Sequence, residues 1–105
     1  MTKLDRLHQI AQLLLDTKLA EVQRTAKVRE TSLSHLAALK TAPQNAGPDV
    51  LLEIQTVLRY ERWADVRRAE INARLAQQTA DWMEAQDNAR MAFGRAEVLR
   101  KLASR

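Results

Sequence analysis

The sequence predicts an all-α fold, an antiparallel two-helix coiled-coil hairpin with a longer C-terminal helix. Three observations predict it. Ala, Leu, Arg, Gln and Glu dominate the 105 residues, and Gly and Pro number two each, so the chain has many helix formers and few turns. Both prolines and one glycine fall in a single stretch, residues 42–49. On either side of that stretch, apolar residues recur at spacings of three and four, the period of a helix that winds around a partner helix.

The first helix is expected over about residues 3–41. Thr2 is placed to cap it, with Asp5 three residues on, where a capping box has its acidic member. Its apolar line is Leu4, Leu7, Ala11, Leu15, Leu19, Val22, Ala26, Arg29, Leu33, Leu36 and Lys40. Three successive spacings of four, from Leu7 to Leu19, read as a stutter that locally unwinds the supercoil. Residues 42–49, Ala-Pro-Gln-Asn-Ala-Gly-Pro-Asp, form the expected turn. Pro43 disfavours helix at Ala42, Gly47 and Pro48 supply the turn, and Asp49 is a good N-cap for the second helix.

The second helix is expected over about residues 50–103. Its seam is Val50, Ile54, Val57, Glu61, Ala64, Arg68, Ile71, Leu75, Gln78, Trp82, Ala85, Ala89, Ala92, Ala96, Leu99 and Ala103. Only Glu61, Arg68 and Gln78 among these sixteen are not apolar. At 1.5 Å per residue the helix would be roughly 80 Å long. The run of alanines near its end buries less area than the Leu/Ile/Val middle and predicts a less stable end.

A short turn makes the two helices antiparallel neighbours. With the fold-back centred on Asn45, Leu15 meets Leu75, Leu19 meets Ile71, Leu33 meets Val57 and Leu36 meets Ile54. Arg29 then meets Glu61, which predicts a salt bridge across the seam. Trp82, the largest seam side chain, is expected near Leu7 and Ala11. The structural seam residues singled out are Arg29, Glu61, Leu75 and Trp82. In this register the first helix runs out opposite about residue 89, and residues 90–105 project without a partner. That overhang leaves Met91, Phe93, Val98, Leu99 and Leu102 unburied. An apolar stripe on a basic helix suits another protein surface, and fraying of a helix end is the alternative. Gly94 within it either permits close approach by a partner or weakens the end.

Net charge is +4. Residues 1–89 carry twelve basic and twelve acidic side chains, so the excess lies on residues 90–105, where Arg90, Arg95, Arg100, Lys101 and Arg105 stand against Glu97. This points to an acidic partner at that end, or to cations that complement a helix dipole. The expected partner-binding residues are Phe93, Arg95, Leu99, Arg100, Lys101 and Leu102. Arg59, Tyr60, Arg62, Trp63, Arg67 and Arg68 form a second basic and aromatic cluster. Acids in the same turns, such as Asp65 beside Arg68, would quench its field, so a solvated, salt-bridged face is favoured over a protein or nucleic-acid patch. Trp63 can stack on Arg59 or Arg67.

No catalytic arrangement is legible, and the chain reads as a non-enzyme with no cofactor and no metal site. Cysteines are absent, which excludes disulfides and fits a reducing compartment. His8 and His35 are roughly 40 Å apart on one helix and cannot share a metal. The N-terminus does not read as a signal peptide, and no run is long and apolar enough to enter a membrane. A balanced charge over residues 1–89 argues against nucleic acid.

The short antiparallel hairpin and its longer C-terminal helix, ending in Glu97-Val98-Leu99-Arg100-Lys101-Leu102, resemble the FliJ/YscO family, the central-stalk proteins of flagellar and type III secretion export ATPases. The resemblance implies a bacterial cytoplasmic protein at the base of a secretion apparatus. It implies that the paired termini enter the export ATPase ring, that an export-gate protein is a further partner, and that ATP chemistry belongs to the ring. The alternative is a homo-oligomeric coiled-coil adaptor unrelated to secretion, in which two overhangs pair and bury Phe93, Leu99 and Leu102.

Overall fold

The computed structural model describes residues 2–39 and 49–105. The protein is an all-α helical hairpin with a longer C-terminal helix. Helix α1 spans Lys3–Ala37 and helix α2 spans Val50–Ala103. The bounds of α2 are those its pattern predicts, whereas α1 stops short of residue 41. The turn expected at residues 42–49 lies outside the described residues, apart from Asp49.

Local chemistry explains each described end. Thr2 and Asp5 close a reciprocal capping box: the Asp5 amide donates to Thr2 Oγ1 at 3.1 Å, and the Thr2 amide donates to Asp5 Oδ2 at 3.0 Å. Asp49 caps α2, its Oδ1 accepting from the Leu52 amide at 3.2 Å. At the far end of α1 the last turn tightens, with the Leu39 amide donating to the Leu36 carbonyl. The Arg68 guanidinium then donates to the Leu39 carbonyl, so a cation sits on the negative end of α1.

The contacts group into two compact units: residues 1–29 with 78–105, and residues 30–77. In the first, Ala11, Leu15, Ala92 and Ala96 form the buried cluster, with Leu99 packed against it. Ala85 and Ala89 continue the same line, and Thr25 is buried with its hydroxyl donating to the Glu21 and Val22 carbonyls. In the second, Leu39, Ala64 and Ile71 are buried.

The α2 seam matches its prediction from Val57 onward. Every one of its positions from there to Ala103 is buried or half-buried, while Val50 and Ile54 are exposed. The α1 seam matches at Ala11, Leu15, Val22, Ala26, Arg29 and Leu36 and fails at Leu4, Leu7, Leu19 and Leu33, while Lys40 lies outside the described residues. Its buried and half-buried positions are Asp5, His8, Ala11, Leu15, Lys18, Val22, Thr25, Arg29, Ser32 and Leu36, followed by Leu39 just past the helix, with Ala26 half-buried beside Thr25. From His8 onward these alternate spacings of three and four, so the predicted stutter between Leu7 and Leu19 is absent. Leu7, Leu19 and Leu33 are exposed. Register with the partner helix fixes the seam, and the stems of Lys18 and Arg29 can cover apolar surface while their charges reach water.

The register is also corrected. Ala11 and Leu15 pack with Ala92 and Ala96, and Arg29 donates from Nε to Thr79 Oγ1 at 2.9 Å with its guanidinium 5.1 Å from the Trp82 ring centre. No Arg29–Glu61 salt bridge forms, because Thr79 lies about five helical turns beyond Glu61 on α2. Trp82 meets Arg29 rather than Leu7 and Ala11. Glu61 and Leu75 are half-buried seam residues, as expected of the seam but not in the expected pairs. The overhang is corrected with them: Ala92, Ala96 and Leu99 are packed by α1, so residues 90–105 are not a free projection. Two heptad repeats match at any shift by a heptad, and pairing numbers on that basis cannot choose among registers. What separates them is side-chain size and the Arg29–Trp82 contact.

Candidate functional site

The corrected register places the N-terminal turns of α1 beside the C-terminal turns of α2. The hydrogen bond from Arg100, then the charges of Arg100 and Lys101 and least of all His8 of α1, favour the ionised form of Glu97. Between the two helices runs an open groove of about 650 Å³, lined by Leu7, Ile10 and Leu14 from α1 and by Met91, Val98 and Leu99 from α2. Ala11, Gly94 and Arg95 complete the lining. The groove exists because both seams are narrow. A line of alanines satisfies the helix–helix contact, and the large side chains one position to the side are left outside it. An added Cβ at Gly94 would meet nothing within 4 Å, so within this chain the glycine answers no close approach.

One heptad further along the same flank the surface changes character. A cleft of about 570 Å³ is lined there by Thr17, Glu21 and Arg24 from α1 and by Asp81, Glu84 and Asn88 from α2, among others. One flank therefore carries an apolar stretch and, beside it, a polar one in which Glu21, Asp81 and Glu84 stand against Lys18 and Arg24.

The predicted binding residues divide. Leu99 is half-buried against the core cluster and serves the fold. Arg95 rims the groove and is exposed. Phe93, Arg100, Lys101 and Leu102 are exposed and do not line it. Arg100 bridges to Glu97 at 3.1 Å, which holds the Glu97 carboxyl below and the Arg100 guanidinium above their ordinary values. Ile10 and Leu14 were missed. Their signal was present: Leu13-Leu14-Leu15 with Ile10 is more apolar surface than one seam can use.

In the second unit, the basic and aromatic cluster is laced by Arg68–Asp65 at 2.8 Å and Arg67–Glu70 at 3.3 Å, the quenching that its acids predict. Trp63 packs its ring on Tyr60, centroids 5.7 Å apart, rather than on an arginine. Among the described residues, no three His, Cys, Asp or Glu side chains gather where they could hold a metal ion, and no helix is long and apolar enough to cross a membrane. The arrangement offers exposed apolar area and charge.

No family model, curated protein or solved structure matches this chain.

Proposed function

We propose that this protein is a non-enzymatic coiled-coil adaptor that works by protein–protein contact at the end where its two termini meet. In its specific form it is a stalk component of a bacterial flagellar or type III export apparatus, cytoplasmic, engaging the export ATPase ring and an export-gate protein. The observation that carries this reading is the exposure of Phe93 and Leu102 among Arg95, Arg100 and Lys101 on the terminal turns of α2. Apolar groups there would supply affinity, and the cations would supply salt-sensitive association with an acidic-lined ring. ATP hydrolysis belongs to the ring.

The test is co-sedimentation of the purified chain with a hexameric export ATPase, read beside ATP turnover. Binding and a change in turnover are expected, and Phe93→Glu with Lys101→Glu should abolish both. Absence of binding at low salt overturns the stalk reading. The homo-oligomeric adaptor is the second reading, favoured by the separate apolar groove on the flank of the same unit.

A further inference from the structure

We infer that the groove lined by Leu7, Ile10, Leu14, Met91 and Val98 is covered by the same groove of a second copy of this chain, the two copies packing antiparallel as a four-helix bundle. The inference goes beyond the proposed stalk function and does not rest on it, since it shares only Arg95 and Leu102 with that surface and makes no use of Phe93, Arg100 and Lys101.

The first support is area. These five side chains are between 40% and 62% exposed, although all are large and apolar. With Leu102, four residues past Val98 on the same flank, they leave roughly 500 Å² of contiguous apolar surface, which reaches the largest patches that ordinary monomers carry. Two such faces together supply about the 1,000 Å² that a specific interface needs. The second support is the composition of the existing core. Among the described residues, five of the nine buried apolar ones are alanines of α2 within or beside this line, or Ala11 opposite them: Ala11, Ala85, Ala89, Ala92 and Ala96. No large side chain is fully buried among the described residues. A two-helix pair with so thin a seam gains little from burial alone, and a second layer of helices supplies what it lacks.

The third support is charge, and it selects both the occupant and its direction. Beyond the groove toward the termini lie Lys3 and Arg105. Beyond it the other way Glu21, Asp81 and Glu84 stand against Lys18 and Arg24, with Arg24 bridged to Glu21, so that cleft is acidic by one charge. A two-fold axis near Ala11 places this net-acidic cleft of one copy at the level of Lys3 and Arg105 of the other, at both ends of the interface. A parallel pair would instead set cleft against cleft and the terminal cations against each other. Arg95 is the only charged side chain lining the apolar groove, and its long stem lets the guanidinium reach the rim. A ring and a second copy would compete for this end, so self-association is measured on the isolated chain.

Sedimentation equilibrium of the full chain between about 1 and 100 µM is the first experiment. A dimer of the 12.0 kDa chain is expected. Ile10→Glu with Val98→Glu, both at exposed positions, should weaken it at least tenfold. A wild-type monomer throughout this range, or a dimer indifferent to both substitutions, overturns the inference. A second experiment does not depend on how that variant folds. The chain has no cysteine, so Lys3→Cys and Glu21→Cys can be made singly and mixed under oxidation. Disulfides joining one variant to the other are expected, at least tenfold faster than within either variant alone. Preferential Glu21→Cys self-pairing would mean a parallel dimer and would overturn the proposed arrangement.

Discussion

The two units of the chain solve the same problem with different residues. In residues 1–29 with 78–105, burial belongs to small side chains, and the large apolar ones beside them stay exposed. In residues 30–77, Ile71 and Leu39 are buried, a guanidinium closes the end of α1, and Val50, Leu51, Leu52, Ile54 and Leu58 are exposed near the start of α2. Counting apolar residues would rank the Leu/Ile/Val stretch as the better packed. Yet the first unit, with its line of alanines, contains most of the buried positions among the described residues, because small side chains let two backbones approach and larger ones then fall outside the contact. Burial follows register, and hydrophobicity alone does not set register.

The largest effect expected from this difference comes from truncation. Ending the chain after Ala89 removes Ala92, Ala96 and Leu99, the α2 side of the Ala11–Leu15 cluster. Circular dichroism should show a loss of helix well beyond the residues removed, with the N-terminal half of α1 frayed. A truncated chain that keeps α1 fully helical would show that the cluster contributes nothing. Next come single core changes. Leu15→Ala should cost about 2–3 kcal/mol in denaturant unfolding, and Ala96→Leu about 1–3 kcal/mol because the space is already filled. The same Ala-to-Leu change at exposed Ala69 should be near neutral, within about 0.5 kcal/mol.

A smaller effect distinguishes the two candidate registers directly. Arg29→Ala removes the hydrogen bond to Thr79 and the stacking on Trp82, and should cost about 1 kcal/mol. Glu61→Ala should cost less than about 0.5 kcal/mol, since Arg29 does not reach it. A double-mutant cycle should couple Arg29 to Trp82 and leave Arg29 and Glu61 additive. The smallest effect is at the N-terminal cap. The backbone amide of Thr2, and then its hydroxyl, hold the Asp5 carboxyl below its ordinary 3.8. A carboxyl depressed on folding contributes stability that is fully present above the ordinary value and is lost as pH falls through the folded one. Protection of the first-turn amides of α1, taken relative to their intrinsic exchange at each pH, should therefore fall only below about pH 4, and Asp5→Asn should remove that dependence.

Much of the fold is legible in the residues. The bounds of α2, both N-caps and the α2 seam from Val57 to Ala103 can be read from period and capping chemistry. The α1 seam cannot, because His8, Lys18, Thr25 and Ser32 occupy it while Leu7, Leu19 and Leu33 stand beside it. A hydrophobicity pattern selects the leucines; only the partner helix selects the others. The register is illegible for a related reason, since matched heptads agree at many shifts. The site inherited that error. Arg95, Leu102 and Phe93 are exposed as expected, but Leu99 is packed, Leu7 belongs to the groove rather than the expected seam, and Ile10 and Leu14 stand outside that seam altogether.

The register itself is the claim on which the groove and the terminal end depend. It can be read by introducing cysteine pairs into the cysteine-free chain and oxidising at high dilution. Leu15→Cys with Ala92→Cys should form an intramolecular disulfide, and Leu15→Cys with Leu75→Cys should not. Cross-linking of the second pair and not the first would restore a fold-back centred on Asn45 and contradict the account.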